Sequence, residues 1–134
     1  GMAERGFGRI VNITSSVVRH PIDVQGLSAA ARSGLHGIVA TLVRGVIARN
    51  VTINNILPGT FATARLVGNF AFIGERQGKT AEEALAARRN ELPAKRFGEP
   101  GELGRLCAYL CSLHAAYISG QNIMIDGGAH PQVF

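Results

Sequence analysis

A long amphipathic stretch lies between two short runs rich in β-branched residues, and this order most restricts what the chain can become. Residues 10–14 (Ile-Val-Asn-Ile-Thr) and 51–57 (Val-Thr-Ile-Asn-Asn-Ile-Leu) read as strands buried on both faces of a sheet. A loop at 19–26, broken by Pro21 and Gly26, follows the first, and Pro58-Gly59 stops the second. Between them Leu35, Ile38, Val39, Leu42, Val43 and Val46 recur at helical spacing from Ser28 to Arg49-Asn50, where Asn supplies a C-terminal stop. Two such strands joined by a helix pair in parallel through a right-handed crossover.

The remainder continues the alternation. Residues 63–78, with Phe70 and Phe72 beside Phe61, suit a flap or short helices. Thr80-Ala-Glu-Glu83 reads as a capping box that starts a helix ending before Pro93. Pro100-Gly-Glu102 opens another helix through about residue 113, striped by Leu103, Leu106, Cys107 and Leu110. Residues 122–125 form a third strand. Gly34, Gly37 and Gly45 each cost the long helix up to about 1 kcal/mol relative to Ala, and small residues at such positions permit close packing against a neighbour. At 134 residues the chain is expected to form one domain.

Composition narrows the function classes. Hydrophobic residues make up 46% and charged residues 17%, a balance suited to a folded α/β protein. The formal charge is +5, but the cations are mostly single Arg residues without interleaved aromatics, which argues against a nucleic-acid surface. Cys107 and Cys111, four apart on one helix, read as small core residues; no second Cys or His pair completes a metal site. His20, His36, His114 and His130 are far apart and form no ligand motif. No apolar run reaches the roughly 18 residues of a membrane span, so no membrane association and a cytoplasmic location are expected.

Four segments in order carry a resemblance. Gly8-Arg-Ile-Val-Asn-Ile-Thr-Ser-Ser16 leads into Ser28-Ala-Ala-Ala-Arg32; Asn54-Asn-Ile-Leu-Pro-Gly-Thr-Phe-Ala-Thr63 follows, then Arg96-Phe-Gly-Glu-Pro-Gly-Glu102, and finally Tyr117-Ile-Ser-Gly-Gln with Ile125-Asp-Gly-Gly128. Together they resemble the C-terminal half of short-chain dehydrogenase/reductases, close to the 3-oxoacyl-carrier-protein reductase branch. The resemblance implies an α/β fold: the C-terminal part of a doubly wound, Rossmann-like parallel sheet, with three parallel strands and flanking helices and without the first βαβ units. Residues 1–134 would then be a single partial domain. Gly1-Met2 reads as an expression scar before a start, yet Met2-Ala-Glu-Arg-Gly-Phe-Gly-Arg9 resembles a stretch in which that Met is internal.

In the family, a Ser holds the substrate oxygen, a Tyr donates the proton, and a Lys lowers the Tyr pKa and binds the nicotinamide ribose. By register, Ser15 matches the Ser, Ser28 stands at the Tyr position, and Arg32 stands at the Lys position. A phenol, with an ordinary pKa of about 10, can be brought toward neutrality by a nearby cation; an aliphatic hydroxyl is a far weaker acid. Arg32 keeps a charge and five donors but does not titrate as Lys does. Alternative readings stand beside these: Ser15 satisfying strand-end backbone groups, Ser28 capping the helix, and Arg32 as a surface or interface residue.

The same resemblance places Pro58, Gly59, Phe61 and Thr63 against the nicotinamide, with Arg32 on its ribose. Gly6-Phe-Gly8 is not a phosphate loop, because it precedes a strand and lacks a third glycine. The expected function is therefore NAD(P)-dependent hydride transfer in a complete form, with no NAD(P) bound by this chain alone. The alternatives are a non-catalytic oligomerising module and one half of a split reductase completed by an N-terminal chain. An exposed strand edge at 9–14 and an unpartnered long helix lead to an expectation of homo-oligomers.

Overall fold

A computed structural model describes residues 1–131 of the chain. Three strands form one parallel sheet in the order β1 (Gly8–Ile13), β2 (Val51–Pro58), β3 (Asn122–Ile125). Gly8 pairs with Val51 and Ile13 with Ile56, while Asn55 pairs with Asn122 and Pro58 with Ile125. Helices α1 (Gly26–Val46), α2 (Ala64–Arg76), α3 (Ala81–Glu91) and α4 (Pro100–Cys111) connect them. The expected three-stranded α/β arrangement is what the chain adopts.

β2 is buried from Val51 through Leu57, which requires cover on both faces. α4 packs on β1 and β2 from one side, and α1 packs on β2 and on the turn after β1. Ile56 and Leu110, at 0% and 1% exposure, centre a cluster joined by Val11, Leu103, Leu106, Cys107, Ile123 and Ile125. The leucine stripe expected on α4 therefore faces the sheet. Cys107 packs against this core and burial, with a smaller effect from Cys111, raises its thiol pKa; Cys111, expected inside, is exposed.

Polar side chains also hold the sheet together. Asn12 donates its amide to Asn55 Oδ1 at 2.9 Å, and Asn55 donates to Asn122 Oδ1 at 2.7 Å, so one carboxamide chain crosses all three strands. Asn54 donates to the Ile118 carbonyl at 2.8 Å and accepts from the Gln121 backbone N–H at 3.1 Å. Both Asn54 and Asn55 are buried, and hydrogen bonding offsets the cost of removing such groups from water.

Helix ends follow the local chemistry. Thr80 and Glu83 form the expected reciprocal box, with the Thr80 N–H donating to Glu83 Oε2 at 2.7 Å and the Glu83 N–H to Thr80 Oγ1 at 3.2 Å. The Thr80 N–H and then its hydroxyl, which donates to the same carboxylate oxygen at 2.9 Å, lower the Glu83 pKa. After α1 a short 3₁₀ turn ends at Asn50 with φ of 56°, the left-handed stop expected there. Residues 63–78 resolve into one helix, α2, capped by Thr63.

The Arg96–Glu102 segment is built as a structural clasp. The Arg96 guanidinium donates to both Glu102 carboxylate oxygens at 2.7 Å, and Glu102 Oε2 also accepts from the Glu99 N–H at 2.8 Å. Gly98 lies against the Phe61 ring, where a Cβ would come within 2.7 Å of Phe61 Cε1. The glycine and the two ionic residues of this motif thus lock the start of α4 beside the turn after β2.

Candidate active site

The carboxyl ends of β1 and β2 open side by side, the usual position for ligands in a parallel α/β sheet. Between them lies a cleft of about 950 Å³ lined by Ser15, Ser28, Arg32, Pro58 and Gly59. Five sequence-predicted positions from three separate segments therefore converge. Phe61 and Thr63 do not line this cleft; they face an adjoining cavity that shares Pro58, Gly59, Arg65 and Asn69 with it.

Ser15 follows the end of β1. Its Oγ accepts from the Val17 N–H at 3.3 Å, so it caps the short turn at Ser16–Val18 and retains its hydroxyl hydrogen. This satisfies the strand-end reading of Ser15 while leaving it on the cleft. Ser28 is not the cap of α1, because the helix begins at Gly26 with Gln25 in the cap position. Instead its hydroxyl oxygen accepts from Arg32 one turn later, and Arg32 also donates to the Ser28 carbonyl at 3.3 Å. The two positions that resemble the family's acid and cation are consequently bonded to each other.

Other expected roles also resolve into contacts. Thr63 Oγ1 accepts from the Leu66 N–H at 3.2 Å, making Thr63 the α2 cap. Phe61 forms an isolated parallel bridge with Gly98. Gly59 packs directly against the Cβ and Cα of Asp126.

The structure adds residues that the sequence reading did not place here. Arg65 and Asn69, one turn apart on α2, line the cleft, as do Asp23 and Gln25. Their i, i+4 spacing puts them on one face only if 63–78 is helical, which the local residues of that stretch do not settle. Thr14 Oγ1 donates to the Ile56 carbonyl at 3.2 Å, so the His36 Nε2 contact at 3.0 Å requires a hydrogen on Nε2. Burial and then the Arg19 charge lower the His36 pKa, which favours this neutral form.

The histidines do not remain apart either. His20 and His130 stack with ring centres 4.2 Å apart and planes 15° from parallel. His130 Nδ1 donates to Asp126 Oδ2 at 2.9 Å. Among the described residues no group of three His, Cys, Asp or Glu side chains could hold a metal ion. Nor is any helix among them long and apolar enough to cross a membrane.

Comparison with known proteins gives the same picture. Residues 1–130 match a family model described as enoyl-(acyl carrier protein) reductase. The acetoacetyl-CoA reductase of Cupriavidus necator is 32% identical over 130 residues, covering 97% of this chain and 48% of that protein. The 3-oxoacyl-acyl-carrier-protein reductase FabG of Vibrio cholerae is also 32% identical, covering 97% and 49%. Among solved structures, the L-sorbose reductase of Gluconobacter frateurii complexed with NADPH and L-sorbose superposes with a TM-score of 0.90 at 28% identity, covering 98% of this chain and 51% of that one. An actinorhodin polyketide ketoreductase with NADPH gives 0.88 at 28% identity, covering 96% and 49%. The chain spans about half the length of the curated relatives it matches. With the sheet order, the converging cleft and this match across nearly its whole length, the chain belongs to the short-chain dehydrogenase/reductase family.

Proposed function

We propose that this chain carries the substrate-facing part of a protein that transfers hydride between NAD(P)H and a carbonyl or hydroxyl substrate, and that the chain alone does not perform the reaction. The convergence of Ser15, Ser28, Arg32, Pro58 and Gly59 on one cleft carries this reading. Relatives solved with NADPH support the cofactor class.

The cleft suits the nicotinamide-ribose end of such a cofactor. Arg32 would meet the ribose, and Pro58 and Gly59 would bound the ring, with Phe61 and Thr63 supporting that wall from the adjoining cavity. When bound, the cofactor supplies hydride to the substrate carbon. A pyrophosphate is a different matter: among the described residues, β1 runs into Thr14-Ser15-Ser16 and β2 into Pro58-Gly59-Thr60, and neither is a glycine-rich turn entering a helix. Pyrophosphate binding would fall to a segment outside this chain, joined to it or supplied as a complementary N-terminal chain.

Within the cleft, the Ser15 hydroxyl hydrogen can be donated to a substrate oxygen. Ser28 offers a hydroxyl whose oxygen already accepts from Arg32, an arrangement that positions the group without making it a good acid. Arg32 stays protonated throughout and acts as a donor and a fixed charge. Proton delivery by the phenol of the family pattern is thus absent, and catalysis would need water or another side chain.

The Ser28–Arg32 contact also supports a second reading, a non-catalytic module that associates through the exposed apolar face of α1. Calorimetric titration of the purified chain with NADPH should show no micromolar binding; micromolar binding would overturn the proposed inactivity. Expression with the coding sequence immediately upstream then separates the readings. NADPH oxidation with a panel of carbonyl compounds supports the reductase, whereas NADPH binding without hydride transfer to any of them supports the silent module.

A further inference from the structure

We propose that the smaller cavity on the other side of Ser15 from Arg32 is a subsite for a compact oxyanion carried by the substrate, making the substrate a small oxo or hydroxy compound with a carboxylate or phosphate group. This rests on the reading of Ser15 as the residue that faces the reacting oxygen. The cavity measures about 200 Å³ and shares Ser15, Gln25, Pro58 and Gly59 with the main cleft, so one molecule can reach both. Its remaining wall combines the polar His20, His130, Arg88, Ser16 and Thr60 with the apolar Val17, Ile22 and Ala129, and no acidic side chain is among the described residues that line it.

The wall is constructed from three distant parts of the chain. Asp126 Oδ2 accepts from both the backbone N–H of His130, at 3.1 Å, and its ring Nδ1, at 2.9 Å, while Oδ1 accepts from the Gly128 N–H at 3.0 Å. The carboxylate fixes the His130 ring with Nδ1 as its donor, so Nε2 donates to a bound anion in the doubly protonated ring. His20 stacks on that ring, and because its own Nε2 has no exposed surface it supports His130 instead of meeting a ligand. Arg88 pairs with Glu91 at 2.9 Å, but that pair is solvent-exposed and holds the guanidinium weakly. The Arg88 guanidinium, the Ser15 and Thr60 residues with their hydroxyls and the doubly protonated His130 ring give this cavity donors complementary to an oxyanion.

The test follows the ring Cε1–H signals of His20 and His130 by NMR in this chain, with sodium acetate, inorganic phosphate and neutral acetamide as probes at matched ionic strength. Both signals should move together and saturate with acetate or phosphate but not with acetamide. Preference for acetate identifies a carboxylate, and preference for phosphate a phosphate ester. Arg88→Gln, an exposed substitution, should weaken the effect by roughly tenfold, the value of one charged hydrogen bond, and His20→Gln, which removes the ring that His130 stacks on, should weaken it less. If His20→Gln fails to fold, as judged by loss of amide dispersion, Arg88→Gln decides alone. No saturable shift, equal affinity in Arg88→Gln, or an equal response to acetamide would overturn the subsite.

Turnover by the upstream-extended protein separates this inference from the reductase reading. Anion-dependent ring shifts without hydride transfer to any carbonyl leave the subsite standing and remove the reductase. Reduction of neutral ketones as efficiently as oxo acids of equal size, without ring shifts, removes the subsite and leaves the reductase.

Discussion

Gly59 and Asp126 meet so closely that a Cβ on Gly59 would lie 2.6 Å from the Asp126 Cβ and 2.9 Å from its Cα. The Gly59 N–H donates to the Ile125 carbonyl at 3.0 Å, extending the β2–β3 pairing past Pro58. One glycine therefore joins the strand ends, bounds the cleft, and borders the Asp126–His130 anchor.

Replacing Gly59 with Ala must separate these backbones. The expected loss is about 1–3 kcal/mol, the usual cost of overpacking a close contact, read as a lower urea midpoint. The His130 ring signal should move in the same variant, since Asp126 would shift with the strand end. An unchanged midpoint together with an unchanged ring signal would contradict the contact.

Asn55 links two strands through one side chain, so Asn55→Ala should destabilise by about 1–3 kcal/mol by leaving the Asn12 and Asn122 partners unmatched. The amides of β1 should lose hydrogen-exchange protection more than those of α3, which the carboxamide chain does not touch. Uniform loss of protection across both elements would argue against a role confined to the sheet.

Glu102 is held to about 2, below its ordinary 4.5, first by the Arg96 side-chain hydrogen bond and then by the Glu99 backbone N–H. A depressed carboxyl pKa contributes stability that is present above about 4.5 and is lost as the pH falls toward about 2. Arg96→Ala should raise the Glu102 titration midpoint, followed by side-chain carboxyl NMR. A midpoint that stays near 2 in the variant would show that the clasp is not its cause.

The parts legible in sequence were those whose determinants are local. The period of β-branched runs gave the strands, Thr80 and Glu83 gave a helix start, and Asn50 gave a stop. Family-like spacing brought Ser15, Ser28, Arg32, Pro58 and Gly59 to one cleft, while giving no hint that Ser28 and Arg32 bond to each other. Phe61 and Thr63 fell short of that cleft because each has a local packing or capping role. The His20–His130 stack was invisible because its two rings lie at opposite ends of the sequence and meet only after β1, β2 and β3 align. Asn12 stood out in an apolar run, but its partner depends on strand register, which no local pattern sets.

His36 gives a second pH dependence. Its pKa is lowered from 6.5, so the unfolded chain takes up a proton before the folded chain does. Stability is therefore full above about 6.5 and declines as the pH falls from there toward the lower folded value. His36→Gln should flatten this part of the stability profile, measured as the urea midpoint across the mildly acidic range. The same slope in wild type and variant would assign the dependence to another group.

The outward face of α1 bears on association. Leu27, Ile38 and Leu42 are 91%, 56% and 51% exposed, and a Cβ on Gly34, Gly37 or Gly45 would have nothing within 4 Å. Small residues beside protruding aliphatic ones suit a closely approaching helix, and no described element fills that space. β1 adds an open edge whose one cation, Arg9, is occupied by the Asn50 and Ser112 carbonyls and so does little to discourage pairing. We therefore expect the chain to self-associate through α1. Light scattering should give a multiple of the 14.2 kDa chain mass, and Ile38→Glu with Leu42→Glu should reduce it to the monomer while helical circular dichroism is retained. A monodisperse wild-type monomer would exclude this association, whereas an oligomer unaffected by the two substitutions would move the interface to the β1 edge.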